Sequence, residues 1–341
     1  MSYYYDSIDK VYTLDLPFNR ISGTNILITG ATGLIGSCLV DILMRNPNID
    51  YHVYASYRNV ENAKKRFAYY CEKDFFHTFY YDVTKHIETD IHFDYIFHTA
   101  SFANPKMYAE HPVDVMKANI WGVTNLMEYG LSHGMKRLLY VSSGEVYGEG
   151  DGRVFTEGYS GYVNPVNPRS CYPASKRAAE TLCVSYMQEF QADVVIARPC
   201  HIYGPNYSSS DNRVYAQFIN NVIEGKDIIM KSTGEQYRSW CYVVDCASAL
   251  LYILLKGENG EAYNVADPES NITIKQLAEM ISGFCKKNVV IVAPQQNEAQ
   301  GYNPVQKSIF SVDKICNLGW KTVGTMKEKI EQTIEDRRLF V

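Results

Sequence analysis

The chain has 341 residues, 46% of them hydrophobic, and a formal net charge of −5 at pH 7. This is enough apolar chain to bury a substantial core in one large domain or two ordinary ones. The weak net charge, without a long run of one sign, argues against nucleic acid or an anionic membrane as the main partner. No apolar run approaches the roughly 20 residues that span a bilayer, so we expect no membrane association.

The nine cysteines are scattered, odd in number and form no Cys-x-x-Cys pair. A disulfide framework or a zinc site is therefore not expected, and a reducing cytoplasm fits best. The first residues, MSYYYDSIDK, lack the basic segment and apolar core of a signal peptide. The sequence thus predicts a cytoplasmic protein with no bound metal.

The first predicted elements form a phosphate-binding motif. After an N-terminal extension of residues 1–24, Asn25–Thr29 is an apolar run typical of a buried strand, and a one-face helical pattern follows GATGLIG. Glycines at this spacing allow a tight turn, close approach of a pyrophosphate and close helix packing. Backbone N–H groups and the positive helix end would bind the phosphates. The predicted contacts are Gly30, Thr32, Gly33, Leu34, Ile35 and Gly36.

The second and third predicted strands, Tyr51–Tyr57 and Phe79–Val83, lead to the residues that would select the cofactor. No carboxylate ends the second strand, where an acid usually binds the ribose. Arg58 stands there instead. It could bind a 2′-phosphate with paired donors, which keeps NADP open beside NAD, or it could simply be exposed. Asp82 could hydrogen-bond the adenine amino group or only cap a turn.

Strands and helices continue to alternate up to about residue 200. Further strands are predicted at Tyr95–His98, Leu138–Val141 and Val194–Ala197, with helices at Val113–His133 and Ser175–Phe190. This alternation indicates βαβ units and a mostly parallel sheet, so we predict a doubly wound α/β fold of the Rossmann type. The alternation is less regular afterwards, which suggests a smaller C-terminal α/β domain for the substrate.

Two short stretches carry a candidate catalytic group. In SSGEVYG, Ser143 and Glu145 follow a predicted strand, at the sheet edge where open α/β folds hold ligands. Tyr172 and Lys176 in SCYPASKRAAE are four residues apart and share one helix face. A neighbouring ammonium favours phenolate, so we expect Lys176 to make the Tyr172 phenol more acidic and also to hold the nicotinamide ribose. Tyr172 would take the proton of a hydroxyl held by Ser143 while the same carbon gives a hydride to nicotinamide.

The glycine-rich turn, the strand-end serine and Tyr-x-x-x-Lys together resemble the extended short-chain dehydrogenase/reductase family, whose members modify nucleotide sugars. The resemblance covers nearly the whole chain from about residue 25 and includes RPCHIYGP at 198–205 and LGW at 318–320. It implies NAD as the cofactor. It also implies a dinucleotide-binding domain over residues 25–202 with 239–266 and a nucleotide-sugar-binding domain over 203–238 with 267–341. The further cofactor contacts that it implies are Asp82, Val83, Thr99, Ala100, Ser101, Asn119 and Arg198, together with Tyr172 and Lys176.

Within this family, residues 162–182 are most similar to the UDP-glucuronate decarboxylases. The likeness extends to DNRV at 211–214 and RSWCYV at 238–243. It implies that Arg213 and Arg238 face a nucleotide diphosphate or a substrate carboxylate. Arginine binds such anions with two parallel hydrogen bonds. The alternative for each arginine is a surface ion pair. The implied substrate contacts are completed by Ser101 and Ser143.

The triplet Ser143-Gly144-Glu145 bears on the choice of reaction. The related dTDP-glucose 4,6-dehydratases carry Thr-Asp-Glu, whose Asp expels water, and simple 4-epimerases usually lack the glutamate. Gly144 has no proton to give, so the resemblance implies oxidation at C4 followed by decarboxylation, with Glu145 orienting the ring or managing protons. Glu145 could alternatively cap a turn. The sequence departs from the decarboxylases at two places. The segment QKSIF at 306–310 lacks the Arg or Lys followed by Pro-Asp that is typical before LGW. Between Tyr172 and Lys176, Pro173-Ala-Ser replaces the usual Asp-Glu-Gly.

The alternatives are a 4,6-dehydratase or 4-epimerase on the same scaffold, and a non-catalytic nucleotide-binding scaffold protein. The intact serine, tyrosine and lysine argue against the last. The two long predicted helices could pair across a two-fold axis, so we expect a homodimer, although such apolar stripes can also simply cover the sheet.

Overall fold

The computed structural model of the protein describes residues 2–208, 211–292 and 305–340. Its strands are β1 (Asn25–Thr29), β2 (His52–Tyr57), β3 (Phe76–Tyr80), β4 (Tyr95–His98), β5 (Arg137–Val141), β6 (Val194–Pro199), β7 (His201–Tyr203), β8 (Ile228–Met230), β9 (Tyr237–Tyr242), β10 (Ala262–Val265), β11 (Asn271–Thr273), β12 (Val289–Ile291) and β13 (Lys307–Ser308). Its helices are α1 (Tyr3–Val11), α2 (Leu34–Arg45), α3 (Val60–Phe67), α4 (Pro105–Glu110), α5 (Pro112–Ser132), α6 (Cys171–Phe190), α7 (Val214–Ile223), α8 (Val243–Lys256), α9 (Ile274–Cys285), α10 (Asp313–Cys316) and α11 (Met326–Phe340).

The centre of the molecule is a seven-stranded parallel sheet in the order β3-β2-β1-β4-β5-β6-β10. Its central strands β1, β4, β5 and β6 are largely apolar and buried because helices cover both faces of the sheet there. Along β1, Ile26 and Ile28 belong to the core cluster that includes α2 and α8, whereas Leu27 belongs to the cluster that includes α5 and α6. The strand order reverses between β1 and β4, which opens a crevice at the carboxyl ends of these strands. The predicted doubly wound Rossmann-type sheet is confirmed.

The position of the third predicted strand is wrong. The sequence predicts Phe79–Val83, but β3 runs from Phe76 to Tyr80. The Asp82 carboxylate accepts hydrogen bonds from the backbone N–H and the hydroxyl of Thr84, at 3.0 and 2.9 Å. This local turn competes with the strand ladder and overrides the β propensity of the aromatic residues before it.

The two long predicted helices are confirmed as α5 and α6. Helix α6 begins at Cys171, before the predicted start at Ser175, so that Tyr172 lies in its first turn. A short 3₁₀ turn, Pro168–Ser170, leads into it. The helix therefore carries both Tyr172 and Lys176 on one rigid element.

The N-terminal extension is packed into the molecule. Helix α1 contacts α2, α8 and α11. The buried Tyr4 donates its hydroxyl to the Asp41 carboxylate at 2.6 Å and its backbone N–H to Asp336 at 2.7 Å. Asp41 also pairs with Arg66, and burial raises the pKa of Tyr4 well above its usual value. The extension thus joins the start of the chain to the last helix and to the helix after the glycine-rich turn.

The remaining strands form two smaller sheets. β9 pairs with β7, β11 and β13, and β8 pairs with β12. Helix α7 packs against α9 beside them. This part of the chain contains Arg213, at the start of α7, and Arg238, within β9. The division at residues 203–238 and 267–341 stays a prediction, and β9 spans the boundary drawn between residues 238 and 239.

No helix in the described ranges is both long and apolar enough to cross a membrane. All nine cysteines lie within those ranges, and each is a free thiol.

Candidate active site

The turn after β1 leaves no room for side chains at Gly30 and Gly36. Gly30 has φ +65°, and a Cβ built on it would lie 2.7 Å from the Ala100 Cα. A Cβ on Gly36 would lie 2.5 Å from the Gly30 carbonyl oxygen and 2.8 Å from the Thr99 hydroxyl. Gly33 caps α2 with extended backbone and no side-chain hydrogen bond. The free N–H groups of this helix start form a cradle that fits a pyrophosphate, as the sequence predicts.

A chain of hydrogen bonds joins the cofactor side of the crevice to α6. The Thr99 hydroxyl donates to the Thr29 carbonyl at 2.7 Å. The Ser101 hydroxyl donates to the Asn119 side chain at 2.8 Å, and the Asn119 amide donates to the Ser175 hydroxyl at 2.9 Å. Ser175 in turn bonds the Cys171 and Tyr172 carbonyls. Asn119 therefore fixes the first turn of the catalytic helix relative to the end of β4.

Arg58 follows β2 at the predicted place and is exposed. Its guanidinium lies 4.8 Å from the centre of the Phe102 ring, a cation–π contact at the mouth of the crevice. Asp82 and Val83 lie after the end of β3: Asp82 caps its turn, and the Val83 carbonyl accepts the Asn125 amide at 2.9 Å. Asp82 therefore caps a turn through one oxygen, and its contact with the adenine stays a prediction.

Arg198 makes contacts that differ from the predicted cofactor contact. Its guanidinium pairs with both Glu180 oxygens at 2.9 and 2.7 Å and donates to the Tyr147 hydroxyl and the Glu157 carbonyl. These bonds join β6 to α6 and to the loop after β5. Each of its three nitrogens has a protein acceptor, which gives Arg198 a structural role here, and its contact with the cofactor stays a prediction.

The predicted catalytic groups come together at the end of β5. Ser143 caps the 3₁₀ turn Gly144–Tyr147, and its hydroxyl accepts the Glu145 N–H at 3.2 Å. It also interacts with the Tyr172 phenol, which is buried. The Lys176 ammonium donates to the Val141 carbonyl at 2.8 Å and lies 5.7 Å from the centre of the Tyr172 ring. Ser143, Glu145, Tyr172 and Lys176 therefore share one site.

The electrostatics of this site differ from the sequence expectation. Burial raises the pKa of Tyr172 to about 12, although Ser143 and Tyr108 lower it in part through hydrogen bonds. Burial likewise lowers the pKa of Lys176 to about 7. Desolvation disfavours both charged forms, so the pKa of the phenol shifts opposite to the expected acidification.

Two residues of the site were not singled out from the sequence. Tyr108 on α4 is buried and stacks on Tyr172, with ring centres 4.7 Å apart and planes at 22°. Arg169 lies 4.7 Å from the centre of the same Tyr108 ring and pairs with both Glu145 oxygens at 3.0 and 2.9 Å. Arg169 stands within the quoted stretch 162–182, so that motif carried a signal; Tyr108 stands in no motif.

Arg213 and Arg238 lie near the same cluster. Arg213 pairs with Asp211, and Arg238 is buried and donates to the Tyr237 and Val305 carbonyls. Burial, helped by both arginines, lowers the pKa of His201 to about 4. Burial lowers the pKa of Arg238 to about 10, and the charge of Glu145 partly offsets this shift. The ion pair of Arg213 matches the alternative stated for it, and the contact of either arginine with an anionic substrate stays a prediction.

A family model described as the NAD dependent epimerase/dehydratase family matches residues 26–266. The chain belongs to this family. Among curated proteins it is 33% identical over 320 residues to UDP-glucuronic acid decarboxylase 6 of Arabidopsis thaliana, covering 93% of this chain and 90% of that protein. It is 31% identical to UDP-glucuronic acid decarboxylase 1 of Xenopus tropicalis, covering 91% of this chain and 71% of that protein.

Solved structures share the fold. The dTDP-glucose 4,6-dehydratase of Streptomyces venezuelae, solved with NAD bound, superposes with a TM-score of 0.80 at 21% identity, over 92% of this chain and 97% of that one. The UDP-glucose 4-epimerase of Thermotoga maritima, solved with UDP-glucose, has a TM-score of 0.78 at 24% identity, over 93% of this chain and 99% of that one.

In this member of the epimerase/dehydratase family, Gly144 faces a phenyl ring. A Cβ built on Gly144 would lie 2.0 Å from Cζ of Phe310. Phe310 ends the segment QKSIF, in which the sequence already departs from its relatives. The segment that departs from the decarboxylases thus contacts the glycine that distinguishes this triplet from that of the 4,6-dehydratases.

Proposed function

We propose that the protein is a UDP-glucuronate decarboxylase that oxidises the sugar at C4 before carbon dioxide leaves. One observation carries the proposal: the chain is similar to UDP-glucuronic acid decarboxylases over 93% of its length. The site agrees with it, because Ser143, Glu145 and Tyr172 share one crevice. Position 144, between Ser143 and Glu145, has no room for an acidic side chain, because Phe310 occupies that space. This last point disfavours the 4,6-dehydratase alternative.

The chemistry is that of a β-keto acid. Tyr172 accepts the proton of the C4 hydroxyl, which Ser143 holds by a hydrogen bond. The ketone at C4 is β to the C5 carboxylate, so the C5–C6 bond breaks, carbon dioxide leaves, and the electron pair forms the C4–C5 enolate. A proton then returns to C5, and we assign Glu145, held by Arg169, to orienting the ring and handling protons there. A bound NAD would take up the hydride from C4 and give it back to C4 after C5 is protonated, which yields the UDP-pentose, and its positive nicotinamide would favour the phenolate of a neighbouring tyrosine.

The nucleotide and the cofactor are assigned to separate sides of the crevice. Arg213 and Arg238 would grip the diphosphate with paired donors. The glycine cradle, Thr99, Ala100 and Ser101 would hold NAD. Arg58 keeps NADP as a second possibility, because its exposed guanidinium could meet a 2′-phosphate. Calorimetric titration of NAD and NADP into the wild type and Arg58→Ala decides this: we expect NAD to bind more tightly, and a preference for NADP that Arg58→Ala abolishes would reverse the assignment.

We also propose a homodimer that forms through the outer faces of α5 and α6. Val113, Met116 and Trp121 on α5 are 61%, 38% and 46% exposed and lie at helical spacing. Trp121→Glu should convert the dimer to a monomer in light scattering, whereas Val166→Glu, at an 87% exposed loop position, should not. The free thiols support a reducing, cytoplasmic location.

The deciding experiment is incubation of the purified protein with NAD and a panel of nucleotide sugars, followed by mass spectrometry of the products. UDP-glucuronate should lose carbon dioxide and yield a UDP-pentose, and Tyr172→Phe should yield none. A 4-keto-6-deoxy product from a UDP- or dTDP-hexose would select dehydration instead. Binding of NAD without turnover of any sugar would support the scaffold alternative.

A further inference from the structure

The Phe310 ring occupies the place of the side chain that residue 144 lacks. Two of its carbons, Cζ and Cε2, lie 2.0 and 2.6 Å from the Cβ position of Gly144. Real Cβ atoms essentially never have contacts below 3.0 Å, so a side chain at 144 and Phe310 in this rotamer exclude each other. The ring lies against the residue between Ser143 and Glu145, the two strand-end groups assigned to the sugar.

Neighbouring aromatic residues and backbone contacts hold the ring in place. Phe310 is 5% exposed and packs edge-to-face on Tyr147, with ring centres 5.5 Å apart, and at 5.9 Å from Phe155. Its backbone N–H donates to the Ser239 hydroxyl at 3.1 Å, and its backbone bridges that of Phe155. The ring is thus held by the catalytic turn, the following loop and β9. A side chain at 144 could not displace it without moving one of these segments.

We propose that Phe310 is a specificity-determining residue, which takes the place of a side chain at 144 and closes this part of the sugar site to water and to any additional acid. The inference rests on the proposed decarboxylation. The ring has no proton to give and no polar atom to hold water. The enolate left by carbon dioxide is therefore protonated by protein groups alone, and the ketone at C4 stays enclosed until it is reduced instead of escaping into solvent.

The test compares Phe310→Ala with Phe310→Leu, which keeps much of the apolar volume. With UDP-glucuronate as substrate, mass spectrometry gives the share of product released as the UDP-4-keto-pentose. We expect Phe310→Ala to raise this share at least about fivefold and Phe310→Leu to raise it much less. An unchanged share in folded Phe310→Ala, with carbon dioxide formed by the wild type, would overturn the inference. If the wild type formed no carbon dioxide, the proposed function would fail instead.

A second measurement does not depend on the reaction. Gly144→Ala should lower the midpoint of thermal unfolding because its methyl group meets the ring, and the double variant Gly144→Ala/Phe310→Ala should lose less than the sum of the two single changes. Titration with UDP checks that each variant keeps a folded site. A Gly144→Ala variant as stable as the wild type, or strictly additive losses, would contradict the steric exclusion on which the inference depends.

Discussion

The cofactor cradle and the sugar side of the crevice are built in different ways. The cradle is one continuous segment, Gly30 to Gly36, whose chemistry comes from backbone N–H groups and whose steric requirement is that side chains be absent at Gly30 and Gly36. The sugar side is assembled from side chains on separate segments: Tyr108 on α4, Glu145 after β5, and Arg169 before α6. The first can be recognised from a local pattern, whereas the second depends on long-range packing. Variants of each side should therefore fail in different ways.

The largest effect is expected at Tyr172, where the two sides meet. Tyr172→Phe keeps the ring and its stacking on Tyr108 but removes the group that accepts the C4 hydroxyl proton. Turnover should fall by about a thousandfold or more, which single-turnover hydride transfer would measure. Affinity for UDP should stay close to that of the wild type, since neither arginine is touched. A variant with even a tenth of normal turnover would exclude this phenol as the base.

Next in size is the steric requirement of the cradle. Gly36→Ala should destabilise the protein by ~1–3 kcal/mol and weaken NAD binding, because the new methyl group would lie 2.5 Å from the Gly30 carbonyl oxygen. Gly283→Ala is the matched control: this glycine is also within a helix, and nothing lies within 4 Å of its Cβ position. It should be neutral or stabilising. Equal NAD affinity in the two variants would mean that the turn is not a phosphate cradle.

Lys176 allows a test by pH. Burial lowers its pKa from the ordinary 10.5 to about 7, so between these values the unfolded chain binds more protons than the folded one. The free energy of unfolding therefore rises with pH between pH 7 and pH 10.5. Below pH 7 Lys176 is charged in the folded protein, and the destabilisation caused by burying this charge is complete. Lys176→Met removes that cost. The variant should be more stable than the wild type by ~1–3 kcal/mol at pH 6, with the gain shrinking towards pH 10 in urea titrations.

Lys136→Met is the control for this pH dependence. Lys136 is 55% exposed, and its hydrogen bond to Asp94 raises its pKa. The stability it contributes is fully present below its ordinary pKa, so its loss should be small and constant from pH 6 to pH 9. If the two lysine variants showed the same pH dependence, Lys176 would not be held in a desolvated position.

Much of the fold could be predicted from the sequence because its signals are local. The buried strands β1, β4 and β5, the glycine turn and the long helices each show in a short window of residues. The third strand was misplaced because a single carboxylate, Asp82, turns the chain within an aromatic run that otherwise favours a strand. A propensity pattern does not contain that competing hydrogen bond.

The site was predictable only where a residue's role depends on its neighbours in sequence. Ser143, Tyr172 and Lys176 come together as expected, but the pKa of the phenol does not shift as expected, because burial is a property of the folded chain. Arg198 lies in a recognisable motif, yet its ion pair with Glu180 could not be read from it. Tyr108 and Phe310 contact residues that are distant in sequence, so no spacing pattern along the chain predicts these contacts.

The smallest of these effects is expected at Tyr108, and it separates packing from electrostatics. Tyr108→Phe keeps the ring and its contacts with Tyr172 and Arg169 but removes a hydroxyl whose hydrogen bond lowers the pKa of Tyr172. The pKa of Tyr172 should rise, so hydride transfer at neutral pH should slow by about three- to tenfold and the rate should reach half its maximum at a higher pH. Tyr108→Leu, which also loses the stacking, should lower the maximal rate as well. Because a purely structural role would change the maximal rate without moving the pH dependence, superimposable pH profiles for the wild type and Tyr108→Phe would show that Tyr108 only packs.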